Sequence, residues 1–516
     1  MNLPTLNLPT LNLPTLNLPI LNLPILNLPI LNLPMMPIPD SLHHWISLGL
    51  STADHVVLFY FLILNSFYAV LLLSAIPEAW THWHLANDEH IQRLLGSDAL
   101  PPLSVLVPAF NEEVSIVASV QSFLTLEYPR HEVVLVSDGS KDATIQRLVE
   151  AYDLYEVPPA FPVVVPTKTV RTYYRSRRYS KLLVLDKDNG GKADALNAAL
   201  NAARYPYVLA VDADTLVESD ALLRLARPFL MGGHVAAVGG TIRVANSCRV
   251  EHGRVVEARV DRRWLPGVQV VEYLRAFLFG RLGWNRLGGN LIISGAFGLF
   301  RREYLLKLGG YLTGNITEDM DLVVRLHRYL KEHKLPDGMP FVPDPVAWTE
   351  VPTSVRVLGR QRERWHRGLI ATMWAHRDMM FNPKYGAIGM VAFPFYFFGE
   401  MLAPVIELFG YIFTALGLMI GAVDMQFALL FLLVSVGYGL LLSCWTLVLE
   451  ELTYRRYPRV SDFLRLVWYA LIENLGYRQL TVWFRLRAFW RFARGVRSWG
   501  VMQREGFAVS APAKPV

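Results

Sequence analysis

Residues 207–215, YVLAVDADT, place two carboxylates, Asp212 and Asp214, directly after a short apolar run. A run of that length closed by acids reads as a buried strand whose carboxyl end carries polar chemistry. Alternate residues on an extended segment point to opposite faces, so one acid can face a metal while the other meets a nucleotide. The same grammar recurs upstream in LSVLVP (103–108), EVVLVS (132–137) and KLLVLD (181–186). Segments of helical periodicity lie between them, residues 113–124 and 193–203 among them. This strand–helix alternation over residues 103–385 predicts an α/β, Rossmann-like domain on a mostly parallel sheet with helices on both faces. In such sheets ligands bind where the strands end, at the switch in strand order.

Outward from this domain the chain becomes apolar. Residues 56–76 carry no charge and are long enough to cross about 30 Å of hydrocarbon. No Lys or Arg precedes Arg93, so the positive-inside rule puts the N-terminus outside and the α/β domain in the cytoplasm. Residues 425–449 form a second uncharged run. Residues 408–423 span only if their helix begins near Ala403, with Asp424 as the outer turn and Arg455, Arg456 and Arg459 marking the return. Residues 395–400 suit an interfacial helix, and residues 463–483, interrupted by Glu473, read as re-entrant or interfacial. Glu400, Glu407 and Glu473 are costly against lipid and are expected to face protein or a polar path. The predicted organisation is a low-complexity, disordered repeat of NLPTL and NLPIL units (1–36), an N-terminal segment with its span (37–76), a linker (77–102), the α/β domain (103–385), interfacial and transmembrane helices (386–497) and a tail (498–516).

The 516 residues are 53% apolar and 18% charged, too apolar for a soluble enzyme and too charged for a pure membrane bundle. The net charge of +6 fits basic residues gathered on the cytoplasmic side, and nucleic acid is not an expected partner. Cys248 and Cys444 cannot build a disulfide framework or a Cys-based zinc site.

Five local patterns carry chemistry. Ala109, Asn111 and Glu113 follow the first strand in a loop suited to a nucleotide; the same acids also suit an ordinary first helical turn. Asp138 closes the second strand, where it could accept hydrogen bonds from a base or ribose, or merely shape a helix cap. Gly190-Gly191-Lys192 at a helix start offers backbone donors and a cation to a phosphate without P-loop spacing. Asp212 and Asp214 form the fourth pattern, and a carboxylate plus diphosphate oxygens is how Mg²⁺ is usually held. Thr317-Glu318-Asp319 and Gln361-Arg362-Glu363-Arg364-Trp365 make the fifth: a carboxylate able to act as general base, an arginine to grip a diphosphate and an indole to stack on a sugar.

In this order, Asp138, the Asp212-x-Asp214 pair, Thr317-Glu318-Asp319 and Gln361-x-x-Arg364-Trp365 resemble the signature of the processive family 2 glycosyltransferases, which include cellulose, hyaluronan and poly-N-acetylglucosamine synthases. The resemblance runs from about residue 103 to the final membrane segments. It implies a GT-A-type domain flanked by transmembrane and interfacial helices in a multi-pass inner-membrane protein. It also implies a UDP-sugar donor, a growing polysaccharide acceptor, surrounding membrane lipid, and Mg²⁺ or Mn²⁺ as cofactor. By position, Ala109, Asn111, Glu113, Asp138, Lys192, Asp212 and Arg364 would bind the donor and Asp214 the metal. Asp319 would be the base, and Ser294, Gly295, Ala296, Phe297, Gln361 and Trp365 would meet the acceptor. About thirty residues follow Trp483, too few for the sensory β-barrel of regulated cellulose synthases. With three or four crossings, a homo-oligomer or an export subunit is expected to complete a sugar channel. The rival readings are transfer of a single sugar to a lipid carrier, against which Gln361-x-x-Arg364-Trp365 argues, and a nucleotide-binding receptor or transporter, which has no need of Asp319.

Overall fold

The computed structural model describes residues 40–86, 100–251 and 253–496; the repeat (1–36), residues 87–99 of the expected linker and the tail (498–516) lie outside them. Twelve strands occur among the described residues: β1 (Leu103–Ala109), β2 (His131–Asp138), β3 (Leu154–Val157), β4 (Val170–Ser176), β5 (Leu182–Lys187), β6 (Tyr207–Val211), β7 (Leu216–Val217), β8 (Ala237–Val244), β9 (Arg249–Glu251), β10 (Arg254–Glu257), β11 (Phe297–Arg301) and β12 (Phe341–Thr349). Ten join one sheet in the order β3-β4-β5-β2-β1-β6-β11-β8-β12-β7, and β9 pairs with β10 alone.

The centre, β5-β2-β1-β6, is parallel as the strand–helix alternation requires. The flanks correct the expectation of a mostly parallel sheet. β4 runs antiparallel to both β3 and β5, β11 is antiparallel to both β6 and β8, and β7 to β12, so the sheet is mixed. Residues 177–181 are too short a connection for the crossover that a parallel β4–β5 pair would need.

Both faces of the central strands are buried, which is why their sequences read as continuous apolar runs. Val105, Val133, Val184 and Leu209 enter one core; Leu106, Val134, Leu183 and Val208 enter the other. The helix Lys192–Ala202, rich in Ala and Leu, is buried almost throughout and belongs to the second core. From β1 the chain moves to β2 and β5 on one side before returning to β6 on the other. The switch in strand order therefore falls between the ends of β1 and β6, at Ala109 and Asp212. The backbone of Asn111 is left-handed (φ 55°), and the helix after β1 begins at Ile116, later than its periodicity suggests.

Among the described residues, two helices are long and apolar enough to cross a membrane, within Ser41–Leu85 and Met425–Thr453; a third results if Ile388–Met401 and Ala403–Met419, bent by 46°, count as one span. The first helix, Asp40–Ala86, extends well beyond the expected 56–76 and continues through Pro77. Asp424 caps the helix it precedes, accepting a hydrogen bond from the Phe427 amide at 2.7 Å. Residues 463–483 form no single span: Val460–Ile472 and Arg478–Ala493 are separated by a break at Leu475 and Gly476 (φ 133°). The three acids of this region face protein. Glu407 pairs with Arg478 at 3.0 Å, Glu473 with Arg275 at 2.5 Å and Glu400 with Arg485 at 3.3 Å.

His327, buried on the helix Glu318–Glu332, donates from Nε2 to the carbonyl of Asn290 at 2.8 Å. Burial pushes its pKa down from 6.5 to about 4. A depressed pKa contributes stability that is present above pH 6.5 and lost as the pH falls through 4, here up to roughly 3 kcal/mol. His327→Gln keeps a neutral donor, so the Tm of the variant minus that of the wild type should rise as pH falls from 6.5 to 4. A difference that stays flat across this window would assign the acid sensitivity elsewhere.

Candidate active site

Two loops meet at the ends of β1 and β2. The Asn111 amide donates to Ser140 Oγ at 3.2 Å, while Asn111 Oδ1 accepts from the Lys141 amide at 2.8 Å. Glu113 bonds to the next two residues of that loop: its amide donates to Asp142 Oδ2 at 3.1 Å, and its Oε2 accepts from the Ala143 amide at 3.0 Å. Asn111 and Glu113 thus shape the loop with their own side chains. Ala109 is buried beneath them.

Asp138, buried at the end of β2, lies opposite Lys187 in the β2–β5 register. Its Oδ1 accepts from Lys187 Nζ at 2.7 Å and the Gly190 amide at 2.9 Å; its Oδ2 accepts from the Gly191 amide at 2.7 Å. Lys187 is fully buried and also meets Asp194 at 2.5 Å. Gly191, with φ 89°, then starts the helix that carries Lys192. The Gly190-Gly191 amides therefore hold a protein carboxylate.

Lys192 reaches Asp212 Oδ1 at 2.5 Å and Glu318 Oε1 at 3.3 Å. Burial alone would lower its pKa, but Asp212, Glu318 and Asp319 outweigh that and hold it above the ordinary lysine range. Glu318 is buried, which raises its pKa; Lys192 opposes the shift and Asp319 adds to it. Asp319, on the next position of the same helix, is half-buried, and its Oδ2 accepts from the Gly295 amide at 3.0 Å. Asp214 is buried beyond the end of β6. Among the described residues, no group of three or more His, Cys, Asp or Glu gathers as a metal cage. The donor set, one or two carboxylates at a strand end, instead fits an ion that takes its other ligands from a diphosphate and water.

Gln361, Arg364 and Trp365 lie on the helix Val355–Ala375. Gln361 is buried and its Oε1 has no hydrogen-bond partner among the described residues; Arg364 and Trp365 are half-buried. Arg362 lies 4.4 Å over the Trp365 ring and pairs with Glu272 at 2.6 Å. Trp365 in turn meets Phe277, their centroids 6.0 Å apart, and Arg281 covers Phe277 at 4.7 Å. Arg281 is buried, its Nη1 has no hydrogen-bond partner among the described residues, and desolvation pulls its pKa down. Ser294, Gly295, Ala296 and Phe297 lead into β11, and only Gly295 contacts Asp319 directly through a hydrogen bond.

The structure thus brings together Lys192, Asp212, Glu318, Asp319 and Gly295. Sequence reasoning missed Lys187 and Arg281. Lys187 looks like a surface charge in VLDKDNGG, and only strand register puts it beside Asp138. Arg281 stands in the apolar run FLFGRLGW, where a lone cation is itself a signal.

Residues 104–309 match the model of Glycosyl transferase family 2, and residues 207–449 that of Glycosyl transferase family group 2. The chain carries a family 2 glycosyltransferase domain. The chain is 28% identical over 295 residues to the poly-beta-1,6-N-acetyl-D-glucosamine synthase of Staphylococcus epidermidis, covering 56% of this chain and 59% of that protein. The synthase of the same name from Staphylococcus aureus (strain COL) is 26% identical over 275 residues, covering 53% and 56%. The match therefore spans little more than half the length of these relatives. Among solved structures, a mannosyltransferase from Pyrobaculum calidifontis in complex with GDP-Man and Mn²⁺ aligns with 80% of this chain and 99% of its own at 19% identity and a TM-score of 0.44.

Removing the Lys187 cation leaves two buried carboxylates uncompensated, a change of about 3–5 kcal/mol. Lys187→Met should lower Tm sharply, and adding Asp138→Asn and Asp194→Asn should restore a large part of the loss. Equal melting of Lys187→Met and wild type would refute the role of this cation.

Proposed function

We propose that this glycosyltransferase transfers sugar from a UDP-sugar, of the glucose or N-acetylglucosamine type, to a growing β-linked polysaccharide. The observation that carries the reading is the orientation of Asp319. Its Oδ2 is fixed by the Gly295 amide, it remains partly open, and it adjoins the Lys192–Asp212–Glu318 cluster where the sheet switches strand order. A general base needs that combination of fixed position and access. The likeness to two poly-beta-1,6-N-acetyl-D-glucosamine synthases supports a polysaccharide product.

In this reading the loops at Asn111 and Glu113 and the carboxylate of Asp212 frame the nucleotide. Asp138 acts through Gly190 and Gly191, setting the turn that aims Lys192 at the donor. Mg²⁺ or Mn²⁺, when bound to the diphosphate, supplies charge neutralisation as the leaving group departs, and Asp214 is the residue that would hold it. Arg364 steadies the same diphosphate. Asp319 takes the proton from the acceptor hydroxyl as that oxygen attacks the anomeric carbon. One displacement inverts the centre, so an α-linked donor gives a β-linkage. Trp365, half-buried beside Phe277, meets the acceptor, with Gln361 on the same helix. The absence of Lys and Arg before Arg93 supports a cytoplasmic catalytic domain in a multi-pass inner-membrane protein. Coupling to export, through a homo-oligomer or a partner subunit, belongs to the same proposal.

The test measures UDP release and polymer from a panel of UDP-sugars with Mg²⁺ or Mn²⁺ in nanodiscs. Asp319→Asn should lower turnover by roughly 100-fold or more while leaving Tm unchanged. Normal turnover in that variant would exclude Asp319 as base, and release without polymer would favour transfer of a single sugar. A Cβ at Gly295 would stand 3.2 Å from both Asp319 Cβ and Lys192 Nζ. Gly295→Ala is therefore expected to depress kcat with little effect on folding; an unaltered kcat would mean that this amide does not orient the base.

A further inference from the structure

Four side chains form one stack. Arg362 lies 4.4 Å over the Trp365 ring, Trp365 meets Phe277 with centroids 6.0 Å apart, and Arg281 lies 4.7 Å over Phe277. Two aromatic rings are thus held between two guanidinium groups. Phe277 precedes Arg281 by one helical turn on a continuous run, so the two side chains meet on one face. The Leu274–Phe279 part of that run is π-helical, a departure that often marks a functional site.

The two cations differ in their support. Arg362 pairs with Glu272 at 2.6 Å and donates to the hydroxyl of Tyr477 at 3.2 Å. Two further buried arginines, Arg227 and Arg243, likewise meet carboxylates, Asp344 and Glu450. Arg281 is buried too, but its Nη1 has no hydrogen-bond partner among the described residues. Asp319 is the one carboxylate whose charge bears on it, and with Tyr396 and Tyr273 it does not offset desolvation. A cation buried at such a cost weakens the fold, and residues of this kind persist where they serve a site.

Its helix is also fixed from the membrane side. Gly283 packs so closely on the first membrane helix that a Cβ would stand 2.2 Å from the carbonyl oxygen of Leu71. Trp284 stacks on Tyr396 of the bent candidate span at 6.2 Å. The guanidinium is therefore presented to Phe277 from a rigid junction.

We propose that Arg281 is a positioning residue for the acceptor: it holds Phe277 against Trp365 and so fixes the indole that the acceptor end meets. This rests on the function proposed above, in which Trp365 contacts the acceptor. A desolvated cation over a ring is among the stronger contacts that an aromatic side chain makes. The chain keeps this one at the expense of stability.

The experiment measures elongation by the full chain in nanodiscs. The donor is whichever of UDP-N-acetylglucosamine and UDP-glucose the wild type turns over, and the acceptor is the matching β-linked tetrasaccharide. Arg281→Met should raise the acceptor KM roughly 10-fold with kcat and the donor KM unchanged. It should melt at or above the wild-type Tm, because a costly buried cation is gone. Arg281→Lys keeps a cation over the ring and should recover most of the acceptor KM. Phe277→Leu should raise the same KM, and adding Arg281→Met to it should change little more, as for two residues acting as one unit. An unchanged acceptor KM in Arg281→Met would overturn the proposal, and so would fully additive effects of the two substitutions. A lowered Tm with kcat and KM both impaired would make Arg281 structural, and a fall in kcat alone would assign it to Asp319; either result overturns the proposal. Wild type that elongates no acceptor would refute the proposed function and this inference with it, whereas failure of the variants beside an active wild type would refute this inference alone.

Discussion

One buried ammonium group holds the site in register. Lys187 Nζ lies between Asp138 and Asp194, all three nearly inaccessible, at the point where β2, β5 and the helix Lys192–Ala202 converge. Burying an isolated charge costs several kcal/mol, so none of the three is tolerable without the others. Asp138 uses its remaining lone pairs on the Gly190 and Gly191 amides. That turn fixes where the helix begins, hence where Lys192 stands, and Lys192 gathers Asp212 and Glu318. The carboxylate cluster at the strand ends is thus assembled from a cation that never touches solvent.

The same cluster sorts its acids by environment. Glu318 and Asp319 are adjacent in sequence, yet one is buried against Lys192 and the other half-open against a backbone amide. Burial raises the pKa of Glu318 and makes it part of the scaffold. Asp319 keeps access to what arrives from solvent. Two acids at the start of one helix take different tasks because the helix turns them toward different surroundings.

The parallel centre of the sheet was legible in the chain because each of its strands is a short apolar run bounded by polar turns and linked through a helix. The antiparallel flanks were not. β11, FGLFR, has the same composition as a parallel strand, and its direction depends on where the preceding helices deliver it. Asp212, Glu318 and Asp319 stood out as acids after apolar runs or at a helix start, where sequence patterns are informative. Lys187 did not, because a lysine after a strand usually faces water, and only pairing with β2 shows otherwise. The first helix exceeded its apolar stretch because Asp54 and Glu78 bound the uncharged run without ending the helix, which also continues through Pro77.

The apolar bundle and the catalytic domain are joined by charges that neither could bury alone. Arg243 on β8 pairs with Glu450 through two hydrogen bonds of 2.8 and 3.0 Å, and both side chains are buried. Arg275 meets Glu473, and Glu272 holds both Arg362 and the hydroxyl of Tyr477. In each case a residue of the catalytic domain depends on a partner from the helices that follow residue 403. Separating the two parts would leave several half-buried or buried ions unpaired, and breaking such a pair costs about 3–5 kcal/mol where burial is complete. The Trp365–Phe277 pair inherits this dependence through Arg362, which lies over Trp365 and donates to the hydroxyl of Tyr477. The helices after residue 403 are therefore part of the site's framework as well as its neighbours.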